Sequence, residues 1–380
     1  MRINGTTMVG AALMMCGALA LGCGELDDQT AEAGVEATQG ALLGAPGAFY
    51  TVAPAWASCG YSGTNECHGG YSFNSRGAKP SFLKRGVGMY RVTFENQPTN
   101  GNVQIAASVT NAHCNLAAQF PSGTGVGLDV FCRAPSTGAF VDSSFMLSYY
   151  RDTNVGGVLG GYANVNGVAP FTTGNAWNST GGPIGVISMG GLGNYRVTFT
   201  GQAAGGDNAQ VTALTSGGAY CTIAATGWTG GAVDVRCFAS NGAPANVPFS
   251  VSYGRNVRGE PRNALPTGTQ GALVVVGAPG GVDSFRTRNS CAAGVNTAAL
   301  QTDNSYMEIY HAITSFQGEV PLMSLVSAIN SSGAYCNLKG FPIQGVRSDS
   351  RGQIRCFTPA GAVTTSMHST QFIIQDKTGC

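Results

Sequence analysis

The stretch Gly193-Asn194-Tyr195-Arg196-Val197-Thr198-Phe199 repeats, 105 positions downstream, the pattern of Gly88-Met89-Tyr90-Arg91-Val92-Thr93-Phe94. In each copy Tyr, Val and Phe fall on one side of an extended chain and Arg and Thr on the other, because side chains alternate along a strand. One apolar and one polar face is the pattern of an antiparallel sheet with a single buried side. Phe145-Met146-Leu147-Ser148-Tyr149 and Phe249-Ser250-Val251-Ser252-Tyr253 alternate in the same way.

The match extends outward from these strands. Phe73-Asn74-Ser75-Arg76-Gly77 falls over Trp177-Asn178-Ser179-Thr180-Gly181, and Gln104-Ile105-Ala106-Ala107 falls over Gln210-Val211-Thr212-Ala213. Cys114 and Cys132 meet Cys221 and Cys237. A third, more diverged copy places Tyr306-Met307-Glu308-Ile309-Tyr310 over Tyr195 to Phe199, and Cys336 and Cys356 over the second copy's pair. Such self-similarity marks repeated structural units. The units are read as residues 44–153, 154–259 and 270–380, with 260–269, containing Pro261 and Pro266, as a linker. Each holds about eight short strands between Gly-, Asn- and Pro-rich turns. The expected fold is all-β: three tandem antiparallel β-sandwich or jelly-roll modules, each with a disulfide stapling a hairpin.

Composition points the same way. The chain has 57 glycines and only 10% charged residues, which favours tight turns and β structure over helices. A formal net charge of +1 leaves no basic footprint for nucleic acid. No cofactor motif is present.

Residues 1–22 read as a signal peptide: Arg2 supplies a positive start, and an apolar run from Met8 to Leu21 is short for a membrane span. The run ends in Leu19-Ala20-Leu21-Gly22-Cys23, which resembles the lipobox of bacterial lipoproteins. That resemblance implies a diacylglycerol on Cys23 and membrane attachment through it, at the outer membrane or cell surface. Residues 23–43 contain Glu25, Asp27, Asp28, Glu32 and Glu36 but no aromatic or basic side chain, and are read as a flexible acidic tether. The style of repeat, Gly- and Asn-rich with β modules, is similar to that of modular surface lipoproteins of soil bacteria. This resemblance implies no substrate and no catalytic residue.

Of the 12 cysteines, Cys16 belongs to the signal segment and Cys23 to the lipobox, leaving ten. An even number in an exported chain implies oxidised pairs. Matched positions pair Cys114 with Cys132, Cys221 with Cys237 and Cys336 with Cys356, across stretches of 17, 15 and 19 residues read as loops. Closing loops of that size contributes about 3 kcal/mol each in the chain-entropy account. Cys59 and Cys67 bracket a Gly-rich loop, and Cys291 with Cys380 ties down the C-terminus. Metal binding is disfavoured, since neither CxxC nor HxxxH occurs.

The search for chemistry finds no convergent set. The four histidines, His68, His113, His311 and His368, occupy unrelated places in the repeat, and no GxSxG is present. His113 is read as a strand-edge surface residue. Among the few carboxylates, Asp129 and Asp234 nearly correspond, and cross-strand pairing with Arg133 and Arg236 explains them better than catalysis does. Arg91 and Arg196 are assigned to a wet sheet face. The candidate ligand-binding residues are Phe120, Trp228 and Phe341, one aromatic in each inter-cysteine stretch, and Trp56 beside Cys59. Such rings stack on a sugar or anchor a protein when displayed, but the commoner fate is a plug folded onto the sheet. The functional expectation is therefore a non-catalytic envelope or adhesion protein with a glycan or extracellular protein partner. The alternative is a polysaccharide-acting hydrolase or its carbohydrate-binding accessory. A disulfide-framed inhibitor loop at Cys59–Cys67 is a third reading.

Overall fold

The alternation read in the repeated strand recurs in the computed structural model, where burial alternates residue by residue along both Met89–Phe94 and Asn194–Phe199. The structure describes residues 47–52, 73–74, 80–108, 111–150, 159–202, 207–255, 269–276, 288–289, 296–310, 322–339, 343–344 and 350–375. All belong to one unit, Gln39–Cys380, and none is helical. The signal segment, the tether, Cys23, Trp56, Cys59, Cys67, Cys291, Phe341 and Cys380 lie outside the described residues.

The first repeat supplies β1 (Gly47–Val52), β2 (Phe73–Asn74), β3 (Ser81–Gly86), β4 (Met89–Phe94), β5 (Asn102–Ser108), β6 (His113–Ser122), β7 (Gly125–Arg133) and β8 (Ser144–Tyr150). The second supplies β9 (Leu159–Val165), β10 (Thr173–Asn178), β11 (Ile184–Ser188), β12 (Asn194–Phe199), β13 (Asp207–Ala213), β14 (Tyr220–Thr229), β15 (Ala232–Phe238) and β16 (Phe249–Arg255). The third supplies β17 (Thr269–Val276), β18 (Arg288–Asn289), β19 (Thr297–Leu300), β20 (Ser305–Tyr310), β21 (Leu322–Ile329), β22 (Tyr335–Leu338), β23 (Ile343–Gln344), β24 (Ser350–Phe357), β25 (Val363–Thr364) and β26 (Met367–Gln375). Thr269, the last residue of the expected linker, already opens β17.

In every repeat the strands form two sheets with the same internal order. One reads β2-β1-β8-β5, β10-β9-β16-β13 and β18-β17-β26-β21; the other reads β3-β4-β7-β6, β11-β12-β15-β14 and β19-β20-β24-β22. The inner faces meet as a sandwich. Val92, Phe94, Leu128 and Val130 of the first repeat pack against Phe145, Leu147 and Tyr149, and Val197, Phe199 and Val235 of the second against Phe249, Val251 and Tyr253. Each large side chain so buried contributes about 1.5–3 kcal/mol.

Two details explain why the opening motif is repeated so faithfully. Gly88 and Gly193 have φ of +64° and +68°, and a Cβ there would lie 2.5 Å from Cys132 O and 2.3 Å from Cys237 O. Only glycine allows the Cys132 and Cys237 amides to donate to Gly88 O and Gly193 O, each at 2.8 Å. The following tyrosines are also anchored alike: Tyr90 donates to Asp142 Oδ1 at 3.0 Å and Tyr195 to Asn246 Oδ1 at 3.1 Å.

The modules are not separate beads. β22 pairs in parallel with β5 at Leu338 and Ser108, joining the third repeat to the first in a ten-stranded sheet. β14 pairs in parallel with β21 at Ile223 and Ile329, joining the second to the third in an eight-stranded sheet. The first and second repeats meet where Asn115 of β6 donates to Gly217 O and Ala219 O, just past β13. The three repeats thus close head to tail.

The inter-cysteine stretches, expected to be loops, are mostly strand. In the first two repeats they are the long hairpins β6–β7 and β14–β15, with the cysteines directly opposed at the base. Bonds join Cys114 to Cys132, Cys221 to Cys237 and Cys336 to Cys356, with Cα atoms 4.0, 4.0 and 3.9 Å apart.

Candidate functional site

The residue before the first cysteine of each hairpin occupies one place in the repeat: His113, Tyr220 and Tyr335. Head-to-tail closure brings all three together. The His113 ring stacks on Tyr220 with centroids 4.2 Å apart and planes 6° from parallel, and meets Tyr335 edge-on at 4.0 Å. Tyr220 and Tyr335 are 5.4 Å apart, and each stacks on the residue across its own hairpin, Phe238 or Phe357.

Each tyrosine hydroxyl reaches the next repeat. Tyr220 donates to Gly333 O at 2.6 Å, and Tyr335 donates to Asn111 Oδ1. His113 is shorter than a tyrosine and completes no such bond; its Nε2 is buried without a partner. Beside it lies a cavity of about 50 Å³ lined by all three repeats, among them His113, Asn115, Thr222, Ser327 and Asn337. Thr222 Oγ1 is likewise buried and unpaired. Its counterpart Asn337 has the reach that threonine lacks and donates to Ala112 O at 2.9 Å.

His113 was expected at the surface and is instead 5% exposed. The sequence showed that it matched two tyrosines but not that the three would meet, because the meeting depends on how the modules close. Burial pushes its pKa down to about 3, so the ring is neutral near pH 7. Burial also pushes the Tyr220 and Tyr335 hydroxyls up, with the neighbouring Tyr220 adding to the effect at Tyr335.

Around the same junction runs a polar ladder that the sequence reading registered only as part of the repeat. Asn102 and Gln104 of β5 donate to Ser250 Oγ of β16 at 2.6 and 3.3 Å, and Thr212 donates to Gln104 Oε1 at 3.1 Å. One repeat on, Asn208 of β13 donates to Ser369 Oγ of β26 at 2.5 Å, and Ser327 donates to Gln210 Oε1 at 3.0 Å. The third junction substitutes sulfur: Met146 stands in the place of Ser250 and Ser369, with its Sδ 3.0 Å from the Ser324 amide.

The third repeat departs from the others inside its sandwich. Glu308 occupies the position of Val92 and Val197, and His368 that of Phe145 and Phe249; both are 0% exposed. His368 Nε2 lies 2.8 Å from Glu308 Oε1, Thr370 donates to the same oxygen at 3.0 Å, and His368 Nδ1 lies 3.2 Å from Ser366 O. The Cys336 and Cys356 sulfurs are within 4.8 Å of a His368 nitrogen, a spacing suited to a metal. They are bonded to each other, however, so neither is a thiolate ligand.

The other candidates among the described residues are placed as follows. Trp228 is 2% exposed and belongs to the second core. Phe120 lies over Gly127, directly across its hairpin, with the Arg91 guanidinium 4.3 Å above the ring. Asp129 and Asp234 are held by Arg91 and Arg196 at 2.7 Å, not by Arg133 and Arg236. Arg91 and Arg196 lie directly across the sheet from the two carboxylates, whereas Arg133 turns to Ser216 O and Arg236 to Ser331 O in the next repeat. Partial desolvation disfavours the charge of Asp142, although its side chain is largely exposed. Lys84, the Gly88 amide and the Tyr90 hydroxyl outweigh that and hold its carboxyl below the usual range.

What this arrangement does chemically is join modules. Its recurring polar groups are bonded across repeat boundaries, and its neutral, enclosed histidine faces a cavity with room for a few waters. Comparison with known protein families, with curated proteins and with solved structures finds no match.

Proposed function

We propose that this chain is an exported, lipid-anchored envelope protein whose three modules act as a non-catalytic platform for a glycan or an extracellular protein partner. One observation carries the reading: the polar residues that recur between repeats, Asn102 and Asn208, Gln104 and Gln210, Asp129 and Asp234, are bound to other residues of the chain. Duplication has therefore preserved the ties that hold the modules, and no pair of free carboxylates stands out among the described residues. Three disulfides fit an oxidising compartment. The lipobox-like Leu19 to Cys23 supplies the anchor, and 23–43 the tether.

The test is fractionation of cells fed labelled palmitate. Wild-type protein is expected in the membrane fraction carrying label, and Cys23→Ser protein is expected in the soluble exported fraction without it. Label on neither, or retention of both in the cytoplasm, would discard the reading.

A further inference from the structure

We infer that β11 is a dimerisation edge, pairing antiparallel with β11 of a second copy about a two-fold axis. β11 ends the eight-stranded sheet, and among the described strands it pairs only with β12. Its backbone alternation is fixed by two bonds. Met189 N–H donates to Asn194 O at 3.0 Å, and Thr200 N–H donates to Pro183 O at 3.1 Å. Odd-numbered residues therefore turn their peptide groups toward β12, and Ile184, Val186 and Ser188 turn theirs toward the open edge.

The side chains explain the choice of a second copy. Ile184 and Val186 pack inward on the core, while Gly185 and Ile187 share the outer face. Ile187 is 55% exposed, and the turn beyond it adds Met189 at 44% and Leu192 at 63%. A Cβ on Gly185 would meet nothing within 4 Å. Two-fold pairing centred on Val186 sets Ile187 of each copy opposite Gly185 of the other, in the non-hydrogen-bonded position where side chains approach most closely. The strand thus carries its own knob and its own hole, as a two-fold interface requires.

Charge agrees. Residues 184–193 contain no acidic or basic side chain. Arg196, across from Ile187, is already held by Asp234. The matching edge strand β3 instead carries two charged side chains, Lys84 and Arg85, paired with Asp142 and Asp129. Edge-to-edge pairing is also how this chain joins its own repeats, at β5–β22 and β14–β21. Those internal junctions are parallel, and a second copy extends the eight-stranded sheet antiparallel at its open β11 edge.

The inference is independent of the lipid anchor, and the experiment separates the two. Sedimentation velocity is run over a dilution series on the full-length protein and on Cys23→Ser, so that association through an acyl chain is distinguished. Both are expected to dimerise. Ile187→Lys and Gly185→Val are each expected to weaken the dimer at least tenfold, with unchanged circular dichroism and melting temperature, while Val87→Lys in the β3–β4 hairpin leaves it intact. A Cys23→Ser protein that stays monomeric throughout, or a dimer indifferent to both β11 substitutions, overturns the proposal. So does a monomer that floats with neutral phosphatidylcholine vesicles and loses that with Ile187→Lys, which would assign the apolar turn to a lipid surface.

Discussion

His113 of the first repeat lies flat on Tyr220 of the second, ring centres 4.2 Å apart, with no partner for its Nε2. Repeats that pack head to tail put the same position on the axis three times. Two of the three residues are tyrosines whose hydroxyls bond to the next module, and the histidine is the exception.

That contact makes stability sensitive to acid. The folded pKa of His113 is about 3, against 6.5 when free, so the unfolded chain binds its proton first and stability falls as pH drops from 6.5 toward 3. Between pH 7 and pH 5 the loss amounts to about 2 kcal/mol. Urea midpoints at the two pH values are expected to diverge by that amount in wild type and by clearly less in His113→Phe. Equal divergence in both proteins would mean that other groups carry the dependence.

Supplying the missing hydroxyl has the opposite effect. His113→Tyr extends the side chain as Tyr220 and Tyr335 do and fills part of the cavity. A gain of about 1 kcal/mol is expected, the net worth of one buried hydrogen bond. Chemical denaturation at pH 7 checks it. A loss would indicate that the cavity cannot take the ring without strain.

The pair inside the third sandwich predicts a double-mutant cycle. Glu308→Val alone removes the buried partner of His368 Nε2, and His368→Phe alone removes the imidazole from the buried Glu308 carboxyl; each is expected to cost about 3–5 kcal/mol. Together they rebuild the Val and Phe of the other two cores, and most of the loss is expected to return. Additive losses in calorimetry would refute coupling between the two residues.

Gln210 holds the second junction through Asn208, Ser369 and Ser327. Gln210→Leu leaves buried donors and acceptors unmet and is expected to cost about 2–3 kcal/mol. Hydrogen exchange should show the added opening concentrated in β13, β21 and β26. Uniform loss of protection across all three repeats would argue that the junction has no local stability of its own.

Trp228 separates plug from display. As a core residue it is expected to cost about 3–5 kcal/mol on truncation to alanine. A Trp228→Ala protein of undiminished stability that loses glycan or cell-wall binding would restore the displayed role.

The sequence alone determined the repeat, the period-two strands, the three hairpin disulfides and the inward faces of the first two sandwiches. These are local: alternation assigns faces, and opposed cysteines at matched positions assign partners. It misread what depended on which strands lie side by side within a module and on how the modules close. The Asp129 and Asp234 partners were sought next to the second cysteine, whereas β4 and β12 bring Arg91 and Arg196 across from them. His113 looked like an edge residue because one module, taken by itself, does leave that edge open. β6 still ends its sheet, and only the tertiary structure buries His113, by bringing Tyr220 of β14 and Tyr335 of β22 against its ring. The physical reason is that unpaired strand edges and half-buried tyrosines are satisfied by a neighbouring module, and no periodicity within one module records where that neighbour will stand.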